Sequence, residues 1–182
     1  SNRTVVAGKR VLVYSNGNSA NTDSHAGGYI GLTNGGKFNP TDCSASVYVY
    51  SNGNTAGGFL GQEQGGTNGL IQYCYSGGHT SKGAYKVSSL ITKDASNNDV
   101  INWEDGGINV KSYHCAGGFA GYLGDSGLTF TNCFSASSVK AYRDTGGFIG
   151  SIGNGATIIK SYETGQVFWD EDTKTNGQTI NG

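Results

Sequence analysis

Short extended-looking runs recur along the chain, each bounded by glycine, asparagine, serine or aspartate. Val11-Leu12-Val13-Tyr14 and Val47-Tyr48-Val49-Tyr50 are two of them, and the tail Tyr-Ser-Asn-Gly-Asn follows both, at Tyr14 to Asn18 and Tyr50 to Asn54. β-Branched and aromatic residues in such runs suit a pleated, half-buried surface. Leucine and alanine at helical spacing are missing. The pattern predicts an all-β chain with many tight turns.

The runs are copies of one another. Ala26-Gly27-Gly28-Tyr29-Ile30-Gly31, Ala56-Gly57-Gly58-Phe59-Leu60-Gly61, Ala116-Gly117-Gly118-Phe119-Ala120-Gly121 and Thr145-Gly146-Gly147-Phe148-Ile149-Gly150 form one motif. Their first glycines are spaced by 30, 60 and 29 residues. A tyrosine-ended run precedes each copy: those ending at Tyr14 and Tyr50, then Val110 to Tyr113 and Val139 to Tyr142. A third segment follows each copy, with a cysteine or serine near its end: Phe38 to Cys43, Leu70 to Cys74, Leu128 to Cys133 and Thr157 to Ser161. About three short strands per coil of roughly 30 residues is the signature of a parallel β-solenoid, or β-helix, in which equivalent segments stack.

Stacking predicts side-chain ladders. Tyr29, Phe59, Phe119 and Phe148 should form one, Tyr14, Tyr50, Tyr113 and Tyr142 another, and Cys43, Cys74, Cys133 and Ser161 a column of small residues. The glycine copies should lie in one parallel sheet, each beside the next, apart from the step between 58 and 118. Cysteine in such a column serves as a small hydrophobe, with one disulfide as the alternative. Parallel ladder directions disfavour a Cys43–Cys74 bond, so both thiols are expected free and buried.

The regular pattern fails between Cys74 and Val110, 36 positions apart where six separate Cys133 from Val139. The chain therefore reads as one domain over 1–182, with an insertion or a degenerate coil at 76–109 and a terminal capping segment at 168–182. Insertions on solenoids gather on one face and often bind. Trp103 beside Glu104 and Asp105, with Tyr85 and Lys86 nearby, makes the candidate binding set: an aromatic platform with polar neighbours. Packing of Trp103 onto the coils is the structural alternative.

Composition narrows the classes. Glycine numbers 32 and proline one, without the triplet period of collagen. Twelve basic residues against 13 acidic leave no basic stripe for a phosphate backbone, so nucleic acid is not an expected partner. No run is long and apolar enough to suggest membrane insertion. The chain is expected to be a monomeric domain of a larger protein.

The Gly-Gly-Phe-x-Gly copies, Asn132-Cys133-Phe134-Ser135-Ala136, and the end Val167-Phe168-Trp169-Asp170-Glu171-Asp172 with Thr175 to Thr179 resemble GLUG-type repeats of bacterial surface proteins. The resemblance covers roughly residues 11 to 179. It implies a region of a large adhesin, or an accessory region of an immunoglobulin-A1-cleaving metallopeptidase. It transfers no catalytic residue, and the H-E-x-x-H motif of the peptidase is absent from this sequence.

Candidate chemistry is sparse. His25, His79 and His114 lack metal-ligand spacing and read as solvated turn residues. Asp23, Asp42, Asp125 and Asp144 sit near turns, where aspartate bonds its own backbone; a calcium column would need a pattern this chain lacks. No C-x-x-C pair suggests zinc. Lys111, Lys140, Arg143 and Asp144 form the nearest approach to a lyase or glycosidase site, and a solvated lysine stripe is the simpler account. The expectation is a non-enzymatic chain without cofactor or metal. It would serve as a cell-surface adhesin or display module of a secreted bacterial protein, meeting a host or bacterial surface protein or glycan. The alternatives are a carbohydrate-binding module and an exosite domain of a secreted enzyme.

Overall fold

The computed structural model describes residues 12–15, 24–51, 53–77, 91–93, 95–97, 99–101, 110–141 and 143–169. Among these residues every regular element is a strand, and no helix is long and apolar enough to cross a membrane. Five sheets are parallel throughout. The first contains Leu12–Ser15, Tyr48–Ser51, Val110–Ser112, Val139–Ala141 and Val167–Trp169, in that order. The second contains His25–Gly27, Thr55–Gly57, Cys115–Gly117 and Asp144–Gly146; the third Ile30–Asn34, Leu60–Gln64, Ala120–Asp125 and Ile149–Asn154. The fourth contains Asn68–Gln72, Gly127–Thr131 and Thr157–Ile159; the fifth Ser44–Ala45, Tyr75–Gly77, Phe134–Ala136 and Tyr162–Glu163.

The second, third and fourth copies thus contribute five short strands each, one to each sheet, where the sequence suggests three longer ones; the first copy contributes four and meets the fourth sheet only through isolated bridges at Lys37 and Thr41. Two corners do the splitting. At Gly57 and Gly117 the backbone turns so tightly that a methyl group would overlap the carbonyl oxygen of Leu60 or Ala120, and would also meet the amide of Gly121 or Gly150 in the next copy at 2.7 and 2.6 Å. Glycine is the only residue that allows this approach. The second corner divides the cysteine-bearing segment. Asp42, Tyr73, Asn132 and Lys160, each just before the cysteine or serine, adopt φ of 53°, 54°, 53° and 49°. Asparagine and aspartate tolerate this left-handed region better than tyrosine or lysine, so sequence propensity alone does not mark it.

The glycine copies stack in parallel as expected and more continuously, but each copy turns from the second sheet into the third and does not lie in one sheet. Ala26 pairs with Ala56, Ala56 with Ala116 and Ala116 with Thr145. The exception expected between 58 and 118 does not occur: the Gly58 amide donates to the Gly117 carbonyl at 3.2 Å. No strand lies between the second and third copies in any sheet. Ser76 and Gly77, placed by the sequence at the start of the irregular interval, belong to the fifth sheet opposite Ser135 and Ala136. Within the interval, Ile91–Lys93 and Asp99–Ile101 form an antiparallel hairpin that adds nothing to the parallel sheets. At the other end Val167–Trp169 extends the first sheet, with Phe168 opposite Lys140; residues 170–182 lie outside the described residues.

Register decides the ladders. Tyr29, Phe59, Phe119 and Phe148 stack with ring centroids 4.6, 4.7 and 5.0 Å apart and planes within 24°. That spacing is set by the strand separation of about 4.8 Å. Phe59 and Phe119 are fully buried, whereas Tyr29, at one end, is 48% exposed. The second expected ladder is overturned. Tyr14 does lie against Tyr50, 5.3 Å away, but Val110 pairs with Val49, which puts Lys111, not Tyr113, beside Tyr50. Sliding by two residues leaves the inward and outward faces unchanged; here it aligns Val13, Val49, Val110, Val139 and Val167. Tyr113 is left exposed, and Tyr142 lies outside the described residues.

Two apolar clusters result. Val49, Val110 and Val139 pack with Ala26, Ala56, Ala116 and Ala141 between the first two sheets. The larger cluster gathers Phe59, Phe119, Phe130, Leu60, Leu123, Ile71, Cys74 and Cys133 from the other three. The sulfur column forms as expected, since the Tyr75, Phe134 and Tyr162 amides donate to the carbonyls of Cys43, Cys74 and Cys133. All four thiols are free. Cys43 is only half-buried, in contrast to the expectation, because it belongs to the first copy of the stack.

Candidate functional site

Trp103, Glu104, Asp105, Tyr85 and Lys86 lie outside the described residues, as do His79 and Asp23. The remaining candidates are placed by the parallel register. Lys111 and Lys140 are neighbours in the first sheet, but they are not a solvated stripe. The Lys111 ammonium lies 5.9 Å from the centre of the Tyr50 ring, and Lys140 is 1% exposed. The histidines are not simply solvated either. His25 Nδ1 is 2.9 Å from Thr55 Oγ1, and His114 enters a cluster.

That cluster joins residues 29 apart through the second sheet, where Cys115 pairs with Asp144. Arg143 Nη1 donates to His114 Nε2 at 2.7 Å. Because a guanidinium cannot accept, the His114 proton sits on Nδ1, 3.2 Å from Cys115 Sγ. The thiol in turn donates to Asp144 Oδ2 at 3.4 Å. Cysteine, histidine and aspartate in contact invite comparison with a nucleophilic triad, but the electrostatics run the other way. Burial first, then the Asp144 carboxylate, push the Cys115 thiol up to about 12. Burial and Arg143 hold His114 below its ordinary value. A reactive thiolate needs an electropositive, accessible setting; this one is buried beside an anion. Among the described residues no group of three or more His, Cys, Asp or Glu side chains is arranged to hold a metal ion.

A concave feature lies elsewhere, on the third sheet. A groove of about 340 Å³ is lined by Gln62, Gln64 and Gly65 of the second copy, Tyr122, Gly124 and Asp125 of the third, and Gly153 and Asn154 of the fourth. Register brings these together: Tyr122 lies between Gln62 and Ser151, and Asp125 faces Asn154. Gly153 makes room for the tyrosine. A methyl there would lie 3.1 Å from Tyr122 Oη, whereas one on Gly124 would be in ordinary contact, 3.5 Å from Tyr122 Cε1. The polar groups are oriented by one another. Gln62 Nε2 donates to Gln64 Oε1 at 3.1 Å, and Asn154 Nδ2 donates to Asp125 Oδ1 at 2.8 Å. Beneath the groove Glu63 is fully buried, its Oε1 accepting the Thr67 amide at 2.9 Å across the Gly65-Gly66 turn.

No family model matches the chain, and no curated protein or solved structure matches it. Sequence reasoning singled out Asp125 as a turn residue and passed over Tyr122. One signal was available. In the column Leu32, Gln62, Tyr122 and Ser151, immediately after each glycine motif, four equivalent positions carry four different side chains.

Proposed function

We propose that the chain is a β-solenoid with coils of roughly 30 residues, and that it acts as a non-catalytic adhesion or display module of a larger secreted or cell-surface bacterial protein, of the kind that carries GLUG-type repeats. The observation that carries this reading is the unbroken aromatic ladder Tyr29, Phe59, Phe119, Phe148 in register with the glycine corners. A side-chain column repeated at strand spacing belongs to a quasi-one-dimensional stack, and such a stack gives a stiff body with long flat faces. Reach and repeated contact are what a surface module requires. The Cys115 thiol, pushed up to about 12 by burial and the Asp144 carboxylate, supports the non-catalytic side of the reading.

Beads coated with the purified chain test it. They should be retained under flow on immobilised surface glycans or surface proteins, while albumin-coated beads are not, and the chain should turn over none of a panel of polysaccharides. Equal retention of both bead types, or measurable cleavage, would refute the proposal.

A further inference from the structure

We infer that the groove on the third sheet is a binding subsite for neutral glycan, with Tyr122 as the apolar platform and Gln64, Asp125 and Asn154 as the hydroxyl-reading groups. The argument starts from the fold. In a parallel in-register stack, packing dictates the inward side chains and the glycine corners, and these repeat from copy to copy. The column that holds Tyr122 does not repeat: Leu32, Gln62, Tyr122 and Ser151 share it. Stacking therefore does not account for their identities.

Their chemistry is specific. A pyranose offers a C–H face and a rim of vicinal hydroxyls, each both donor and acceptor. A partly exposed tyrosine lying beside two side-chain-free glycines gives an apolar surface with a polar tip. Planar amides and a carboxylate present adjacent donor and acceptor atoms, as vicinal hydroxyls require. The internal bonds settle which atoms are occupied. Gln62 Nε2 donates to Gln64 Oε1, and Asn154 Nδ2 gives one of its two protons to Asp125 Oδ1. Gln64 Nε2, the second proton of Asn154 Nδ2, Asp125 Oδ2 and Asn154 Oδ1 remain as a mixed set of two donor groups and two acceptors. Those internal bonds also hold the side chains in place before any ligand arrives, which lowers the ordering cost of binding.

Other ligand classes fit less well. One carboxylate with one amide is a poor calcium cage, since that ion takes six to eight oxygens. The groove lining carries no lysine or arginine to meet a phosphate, sulfate or sialic acid. The mostly polar lining gives an apolar peptide anchor little to bury.

The inference rests on the display reading only for where a glycan would be met; the groove itself is tested on the isolated chain. Amide chemical-shift mapping and calorimetry would use cellotetraose, maltotetraose, mannotriose, N-acetylchitotriose and, as an anionic control, sialyllactose. At least one neutral probe should shift the amides of Gly65, Gly124 and Gly153. Tyr122→Ala and Asn154→Ala should each weaken it by about tenfold or more, with far-UV spectrum and denaturation midpoint as in the parent. Tyr122→Phe, which keeps the platform, should retain binding, whereas Asp125→Asn, which turns the free carboxylate oxygen into a donor, should weaken it by about threefold or more. The inference is overturned if none of the neutral probes shifts these amides, if Tyr122→Ala binds as the parent does, or if sialyllactose alone binds. Beads and solution measurements together separate the two proposals. Bead retention with no neutral probe bound in solution sinks the groove and leaves display standing; groove binding in solution without bead retention sinks display alone.

Discussion

Replacing Phe119 by alanine probes the stack where it is most constrained. The ring is fully buried, lies between Phe59 at 4.7 Å and Phe148 at 5.0 Å, and meets Phe130 edge-on at 5.8 Å. Deleting a core phenylalanine costs about 3–5 kcal/mol through lost transfer energy and the cavity left behind. Ring pairs add about 0.5–1.5 kcal/mol each beyond buried area, so the upper half of that range, about 4–5 kcal/mol, is expected. A urea slope of about 2 kcal/mol/M turns this into a midpoint lower by roughly 2 M. Tyr29→Ala is the matched control. It occupies the same column but is 48% exposed and stacks on a single ladder neighbour, Phe59, so about 1–2 kcal/mol should be lost. Phe119→Leu should fall between the two, since it restores much of the volume. Urea titrations followed by far-UV circular dichroism and by aromatic fluorescence supply the midpoints and slopes. Equal losses for Phe119→Ala and Tyr29→Ala, or a loss under about 1 kcal/mol for Phe119→Ala, would refute the claim that the central rungs carry the stack.

Tyr73 holds φ of 54° while 56% exposed, so Tyr73→Asn should raise stability by about 0.5–1 kcal/mol; an unchanged or lower urea midpoint would contradict that account of the corner. Burial pushes the Cys74 and Cys115 thiols up to about 12 and raises Cys133. A maleimide near pH 8 should therefore label half-buried Cys43 first and all four thiols only after denaturation, with mass spectrometry counting the adducts. The same shifts carry a sign: above the ordinary thiol value of 9.0 the unfolded chain releases protons that the folded chain keeps, so stability should fall as pH climbs from about 9 toward 12. His114 is held below its ordinary 6.5. Its contribution is complete above that value and is lost as pH falls below it, because the unfolded chain then takes up a proton the folded chain resists. His114→Gln should flatten that part of the stability–pH curve, and an unaltered curve would show that Arg143 and burial do not act on this ring.

Most of the stack is legible in the sequence because parallel in-register pairing sets each residue over its own counterpart. A repeat in the chain then becomes a column in space without further information. The aromatic ladder Tyr29, Phe59, Phe119, Phe148 and the column Cys43, Cys74, Cys133, Ser161 follow directly, and so does the need for glycine where neighbouring backbones meet. The tyrosine ladder fails for a reason the pattern cannot reveal. A slip of two residues leaves every side chain on the same face, so Val110 could pair with Val47 or Val49 equally well by alternation, and only the corners on either side select Val49. The division of three segments into five strands is hidden likewise, because Tyr73 and Lys160 carry the left-handed corner against their own propensity. Chain length between Cys74 and Val110 says how many residues intervene, not whether they intercalate, and the direct pairing of Gly57 with Gly117 is a tertiary fact. The groove is the extreme case. Gln62, Tyr122, Asp125 and Asn154 come from three different copies, and their juxtaposition exists only because strands distant in sequence lie one strand spacing apart. Repetition specifies what must be the same from rung to rung; the side chains that differ acquire meaning only once the stack sets them next to one another.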